Sequence, residues 1–297
     1  MPHPQQRAGV ITGITAYVLW GLLTIYWKQL SEFEAFELIG WRIATAAAAM
    51  VVIISVTRRW RRLDAVRTDR RLLGRMAAAA VLLTVNWTAY VWAVVHDHVL
   101  ETALGYFIAP IGTVLVGVVV LEEHLRSAQR ISLVFAVASV AVLTMSYGEV
   151  PWLALVIAGS WIVYGYMKKQ VPLAPPESMA TESFLLAVPA VVLAWVYAGE
   201  PTSVPNTAST WEFVLVLSTG LATVAPLMLF SHAAQRVPLS MIGPMQYIVP
   251  SMNFLIGWLI YHEDLPPARV VGFALVWIGL VVLTVDSARR ARRSRTT

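Results

Sequence analysis

Apolar residues fill long blocks along this chain, and polar residues gather in short clusters between them. The blocks lie near residues 10–30, 36–57, 72–95, 102–121, 128–147, 151–168, 178–198, 211–234, 240–261 and 267–285. Each approaches the roughly 20 residues that a helix needs to cross a bilayer core about 30 Å thick. Arginine runs (RRWRRLDAVRTDRR), a turn cluster (YGEVP) and a proline-rich polar stretch (AGEPTSVPNTAST) separate them, the punctuation expected between elements. The short alternating segments of a membrane β-barrel, about ten residues each, are absent. In lipid the backbone must otherwise pair within its own segment. The pattern therefore predicts an all-α membrane protein with ten transmembrane helices.

Composition agrees, with 58% hydrophobic and 13% charged residues and a mean hydropathy of +0.67, too apolar for a soluble domain. The first block is longer than the roughly 7–15 apolar residues of a cleavable signal peptide, so it reads as a retained span. Cysteine is absent, which excludes disulfides, thiolate metal sites, covalently attached haem and iron–sulfur clusters.

A shift of 140 residues lays IAPIGTVLVGVVVLEEHLRSA, from 108, on IVPSMNFLIGWLIYHEDLPPA, from 248. Between 110–144 and 250–284 nine positions are identical without a gap, among them Pro110/Pro250, Gly117/Gly257 and Glu123/Glu263. The same shift pairs Tyr26 with Tyr166, Lys28 with Lys168 and Glu37 with Glu177. The chain thus reads as two repeats of five spans, residues 1–147 and 148–297. Five is odd, so the second repeat must cross in the opposite sense. Charge agrees: with the N-terminus inside, all of the 22 lysines and arginines except Lys28, Arg42 and Arg269 fall on inside segments, as the positive-inside rule asks. Both termini are then cytoplasmic. The net charge of +5 reflects orientation in the membrane, and the tail SARRARRSRTT reads as a topology anchor, with no nucleic-acid partner.

Inverted repeats with broken helices are the architecture of carriers, whose substrates sit between the halves near the midplane. Polar groups inside spans are costly and come first as candidates. Arg42 lies about 9 Å into the second span at 1.5 Å per residue; it either snorkels to the outer surface or faces a cavity, where it meets Glu101 or an anionic substrate group. Glu101 opens the fourth span from the same side, a place a helix dipole also favours. Asn86 and Tyr90 share a face of the third span beside Trp87. With Tyr106, Gln246 and Tyr247 they form the expected lining for a small amphipathic organic solute, Trp87 being open to an interfacial or packing role as well. Glu182, at the repeat position of Arg42, and His232 are candidates for gating or proton coupling, or for plain helix-end and helix-packing roles. Pro110 and Pro250 are the expected hinges.

HExxH, GxSxG and GxxxxGK[ST] do not occur, no acidic and histidine cluster has metal-ligand spacing, and HDH at 96–98 reads as an outer loop. No metal, cofactor or enzymatic activity is expected. Without a nucleotide-binding segment, uphill movement of a solute must draw on an ion gradient or on the solute's own. Two other classes remain: a membrane-embedded enzyme on a lipid-linked substrate, which predicts polar groups converging at one membrane face, and a scaffold, which predicts an apolar interface between the halves.

AYVLWGLLTIYWK (16–28), NWTAYVWAV (86–94), LETALGYFIAP (100–110) and QYIVP (246–250), with YG at 164–165, resemble the RarD branch of the EamA-type transporters in the drug/metabolite transporter superfamily. The likeness spans essentially the whole chain. It implies a ten-helix, inverted-repeat inner-membrane permease, with a family name tied to chloramphenicol sensitivity or resistance. It carries over Trp20, Gly21, Lys28, Glu37, Arg42, Asn86, Trp87, Glu101, Gly105, Tyr106, Pro110, Gln246, Tyr247 and Pro250 as family-defining positions. Small multidrug relatives place a glutamate in their first span; the first span here holds no acidic residue, so their proton exchange does not carry over.

Overall fold

A computed structural model describes residues 4–95, 99–147, 150–262 and 267–296. All its described elements are helices: α1 (Pro4–Lys28), α2 (Ala35–Val56), α3 (Trp60–Thr68), α4 (Arg70–Val95), α5 (Val99–Val119), α6 (Ser127–Tyr147), α7 (Trp152–Gln170), α8 (Pro175–Tyr197), α9 (Val204–Thr207), α10 (Thr210–Arg236), α11 (Leu239–Gln246), α12 (Ile248–Leu259) and α13 (Pro267–Thr296). Among the described residues, six are long and apolar enough to cross a membrane: Gln5–Lys28, Ala35–Val56, Arg70–Tyr90, Ser127–Met145, Pro175–Tyr197 and Thr210–Arg236. The bundle is apolar outside as well as inside. Val134, Val188 and Trp195 are 68%, 73% and 77% exposed, a surface suited to lipid and hostile to water.

Two segments depart from the expected layout. The arginine-rich stretch after α2 is not simply a loop. Leu63 and Val66 are buried and Trp60 stacks on Phe184 of α8 with centroids 5.9 Å apart, so the segment folds as amphipathic α3 with Arg61 and Arg62 exposed. The block at 240–261 is not one helix but two, meeting at Tyr247. Pro250 has no N–H for the Gln246 carbonyl and its ring crowds that turn. Its repeat mate Pro110 lies inside an uninterrupted α5, so the two prolines expected to act alike do not. The N-terminus of α11 is capped from elsewhere in the chain: the Glu123 carboxylate accepts the Leu239 and Ser240 N–H groups at 2.9 and 2.8 Å.

Helix starts at Ala35, Arg70, Val99 and Ser127 recur 140 residues later at Pro175, Thr210, Leu239 and Pro267. The packing shows the same exchange. α2 lies on α8 and α6 on α13; α1 with α10 answers to α7 with α4, and α5 with α7 answers to α12 with α1. Glu122 and His262, also 140 apart, both hold a left-handed backbone, φ 54° and 53°, where chains leave helices and glycine is the usual occupant. Different residues at these two places adopt one conformation.

Two buried carboxylates tie down the lateral helices. Glu37, at the start of α2, accepts the Val204 N–H of α9 at 2.9 Å. Glu177, at the equivalent place on α8, takes Arg59 and Arg62 from the α3 region at 2.9 and 3.3 Å. The arginines are partly exposed, which limits the tether to about 1 kcal/mol. Glu177→Ala is therefore expected to speed trypsin cleavage within 58–71 by ~5-fold, since cleavage follows the population of the open segment. An unchanged cleavage rate would show that α3 is held by Trp60 and its apolar face alone.

Candidate functional site

Close backbone crossings set the position of Arg42. A Cβ on Gly40 would stand 2.8 Å from Ala194 N and 3.1 Å from Ala190 O of α8, and one on Gly220 would overlap the Thr45 carbonyl of α2. The two glycines thus let α2 lie tight between α8 and α10, the small-residue packing that lipid-embedded helices use. Thr45 and Thr219 bond across the α2–α10 seam at 3.0 Å. One turn further, Arg42 Nε donates to Thr223 Oγ1 at 2.7 Å, and the Thr223 hydroxyl donates in turn to the Thr219 carbonyl at 2.8 Å.

The guanidinium lies over Trp87 of α4, 4.1 Å from the ring centroid, with Trp27 of α1 at 5.3 Å. Such contacts are worth about 0.5–2 kcal/mol. Tyr90 of α4 and Tyr106 of α5 meet edge to face at 6.2 Å and lie within electrostatic reach of Arg42. Tyr90 and Tyr106 keep 39% and 37% of their surface accessible, so the cluster is open on the side that they face. Five helices converge here: α1, α2, α4, α5 and α10.

The repeat-equivalent position is closed. Glu182 Oε1 meets Lys168 Nζ at 2.6 Å, and the two side chains are 1% and 0% exposed. Lys168 also donates to Ser178 Oγ at 2.7 Å, and Tyr164 OH donates to Glu182 Oε2 at 3.1 Å. Tyr164 leads into an aromatic cluster with Trp161 and Phe230, onto which Trp20 and Tyr17 of α1 pack. Tyr17 OH has no hydrogen-bond partner among the described residues.

The sequence candidates divide accordingly. Arg42, Trp87, Tyr90 and Tyr106 come together. Asn86 is committed to α7, donating to Ile157 O at 2.7 Å and Ser160 Oγ at 3.1 Å. Gln246 and Tyr247 bond across to α5, at Thr113 Oγ1 (2.8 Å) and the Phe107 carbonyl (3.1 Å). They pin the α11–α12 junction beside Pro110 and do not join the Arg42 recess. His232 leaves Nε2 without a described partner. The Glu101 side chain and residues 96–98 lie outside the described residues. Sequence reasoning passed over Trp27 and Thr223 as recess residues and counted Lys168 as an inside-segment charge. Trp27 stands within the first quoted family motif, and Lys168 is the repeat mate of Lys28; only Thr223 carried no such signal.

An apolar exterior, a discontinuous helix and a charged cluster where five helices meet define a polytopic membrane protein. The EamA-like transporter family model matches residues 7–145 and 149–285, and the chain belongs to that family, in its RarD branch. It is 40% identical to Protein RarD of Streptomyces exfoliatus, over 98% of this chain and 92% of that one. It is 35% identical to the uncharacterized transporter PA0485 of Pseudomonas aeruginosa, over 97% and 96%. A solved crystal structure superposes with a TM-score of 0.69 at 18% identity, covering 94% of this chain and 98% of that one; it shares the fold. The chain is thus a multi-pass membrane transporter of the drug/metabolite type.

Proposed function

We propose that this transporter is an inner-membrane carrier, both termini cytoplasmic, that exports a small organic metabolite or drug by alternating access between two inverted five-helix halves, residues 1–147 and 148–297. The recurrence of helix starts at 140 residues, the exchanged helix pairings and the matched left-handed positions support related halves. The distribution of arginine supports the inversion.

One observation carries the mechanism: two repeat-equivalent charged positions stand in opposite states. Around Arg42 the tyrosines are accessible, while Glu182 and Lys168 are sealed. Alternating access requires this asymmetry, because exchanging the conformations of the halves opens the second position as it closes the first. In the orientation that the arginine distribution supports, the open recess faces outward, and the sealed end is the cytoplasmic one.

The test is solute flux in liposomes loaded with a panel of anionic, neutral and cationic organic solutes. At least one is expected to cross faster than in protein-free vesicles, with Trp87→Ala slowing it ~10-fold, the effect of about 1.4 kcal/mol at the site. Protein-free rates across the panel would remove the carrier reading. Unchanged flux in Trp87→Ala would move the site elsewhere.

A further inference from the structure

We infer that the recess at Arg42 is an organic-anion site: a carboxylate on the free edge of the guanidinium, with a flat apolar body against Tyr90 and Tyr106. This deepens the carrier reading and rests on it for the transport step after binding.

Charge accounting carries the inference. Arg42 spends Nε on Thr223 and one face on Trp87. No described group bonds its Nη1 or Nη2, and no described carboxylate lies within ion-pair distance. The described buried carboxylates of Glu37, Glu177 and Glu182 are, by contrast, each engaged, with Glu177 Oε2 buried and lacking a described partner. Glu37 accepts from Val204 N and Trp41 Nε1, Glu177 from Arg59 and Arg62, and Glu182 from Lys168 and Tyr164. A cationic solute meets carboxylates already engaged by arginine, lysine or N–H donors, whereas an anion meets a guanidinium that no described carboxylate pairs; the Glu101 side chain lies outside the described residues. An intramembrane arginine left so is costly unless it serves a ligand.

Geometry narrows the class. A guanidinium edge presents two parallel N–H donors that match a carboxylate. The Tyr90 and Tyr106 rings meet edge to face at 6.2 Å, and their hydroxyls make no hydrogen bond to a described group. Their accessible rings, with Trp27 close by, offer a surface on which an aromatic body can stack.

The test is calorimetric titration of the purified full chain with three isosteric probes: 2-naphthoate, 2-naphthamide and 2-naphthylmethylammonium. The anion is expected to bind ~10- to 100-fold tighter than the amide, the span of a charge-assisted bidentate pair. The ammonium is expected to bind more weakly still. Arg42→Gln should erase the preference for anion over amide, and Arg42→Lys should restore part of it. Equal binding of anion and amide by the unaltered protein, including no binding of either, overturns the inference without recourse to any variant. An intact preference in Arg42→Gln overturns it as well. Anion preference without flux in the liposomes leaves this site standing and removes the carrier reading. Flux of neutral or cationic solutes by a protein without anion preference does the reverse.

Discussion

Glu182→Leu is expected to lower the stability of the folded protein by about 3–5 kcal/mol, the cost of removing one partner from a buried ion pair. The change leaves the Lys168 ammonium, 0% exposed, with Ser178 Oγ as its nearest remaining acceptor. The same geometry predicts rescue. Lys168→Met on the Glu182→Leu background removes the stranded charge and fills similar volume, so the double variant should recover most of the loss. Unfolding of the purified protein in detergent micelles measures all three stabilities. A single variant as stable as the parent would mean that the pair opens to solvent and is not sealed. A double variant no better than the single would mean that Tyr164 and Ser178 depend on the carboxylate for their own placement.

The second large effect concerns a single methyl group. In Gly220→Ala the new Cβ would occupy the space of the Thr45 carbonyl and Ala46 N. These are backbone atoms that cannot rotate aside, so α10 must withdraw from α2. The expected cost is about 3 kcal/mol, the upper range for overpacking. The Thr45–Thr219 bond and the Arg42–Thr223 bond lie on the same seam and should lengthen with it. Gly159→Ala is the control: a Cβ there meets nothing within 4 Å, and alanine's better helix propensity should leave that variant as stable as the parent, or more stable by up to about 1 kcal/mol. Thermal unfolding in detergent separates the two. Equal stability of both variants would show that α2 and α10 cross with room to spare.

Much of the helix layout was legible because lipid imposes a simple rule. An apolar block of about twenty residues has one viable form, and each expected block carries helix in the structure. The rule is silent where function begins. RRWRRLDAVRTDRR looked like punctuation because its arginines outnumber its apolar residues, yet Trp60, Leu63 and Val66 at helical spacing were enough to fold α3 against α8. Pro250 marked the ninth block as irregular, but Pro110 in the same register of the repeat left α5 whole, so proline alone does not decide a break. Arg42, Trp87, Tyr90 and Tyr106 stood out as polar or amphipathic groups in costly places, and they converge. Asn86, Gln246 and Tyr247 stood out for the same reason and are spent on joining helices. Sequence sees that a polar group in lipid needs a partner; it does not see whether the partner is a solute or the next helix. Lys168 and Glu182 were each visible, but their contact depends on how α7 and α8 pack, and no local spacing encodes that.

The division of the ninth block into α11 and α12 bears on how the chain is built as well as on what it holds. Eight residues and twelve residues make rods of about 12 and 18 Å, neither able to traverse a bilayer core of about 30 Å by itself. Glu123 caps the N-terminus of the first rod, and at its far end the Gln246 and Tyr247 side chains donate to Thr113 Oγ1 and the Phe107 carbonyl of α5. A segment held at both ends by side chains and carbonyls of other segments takes its position from them. α5 and the residues that follow it thereby fix where the two rods meet.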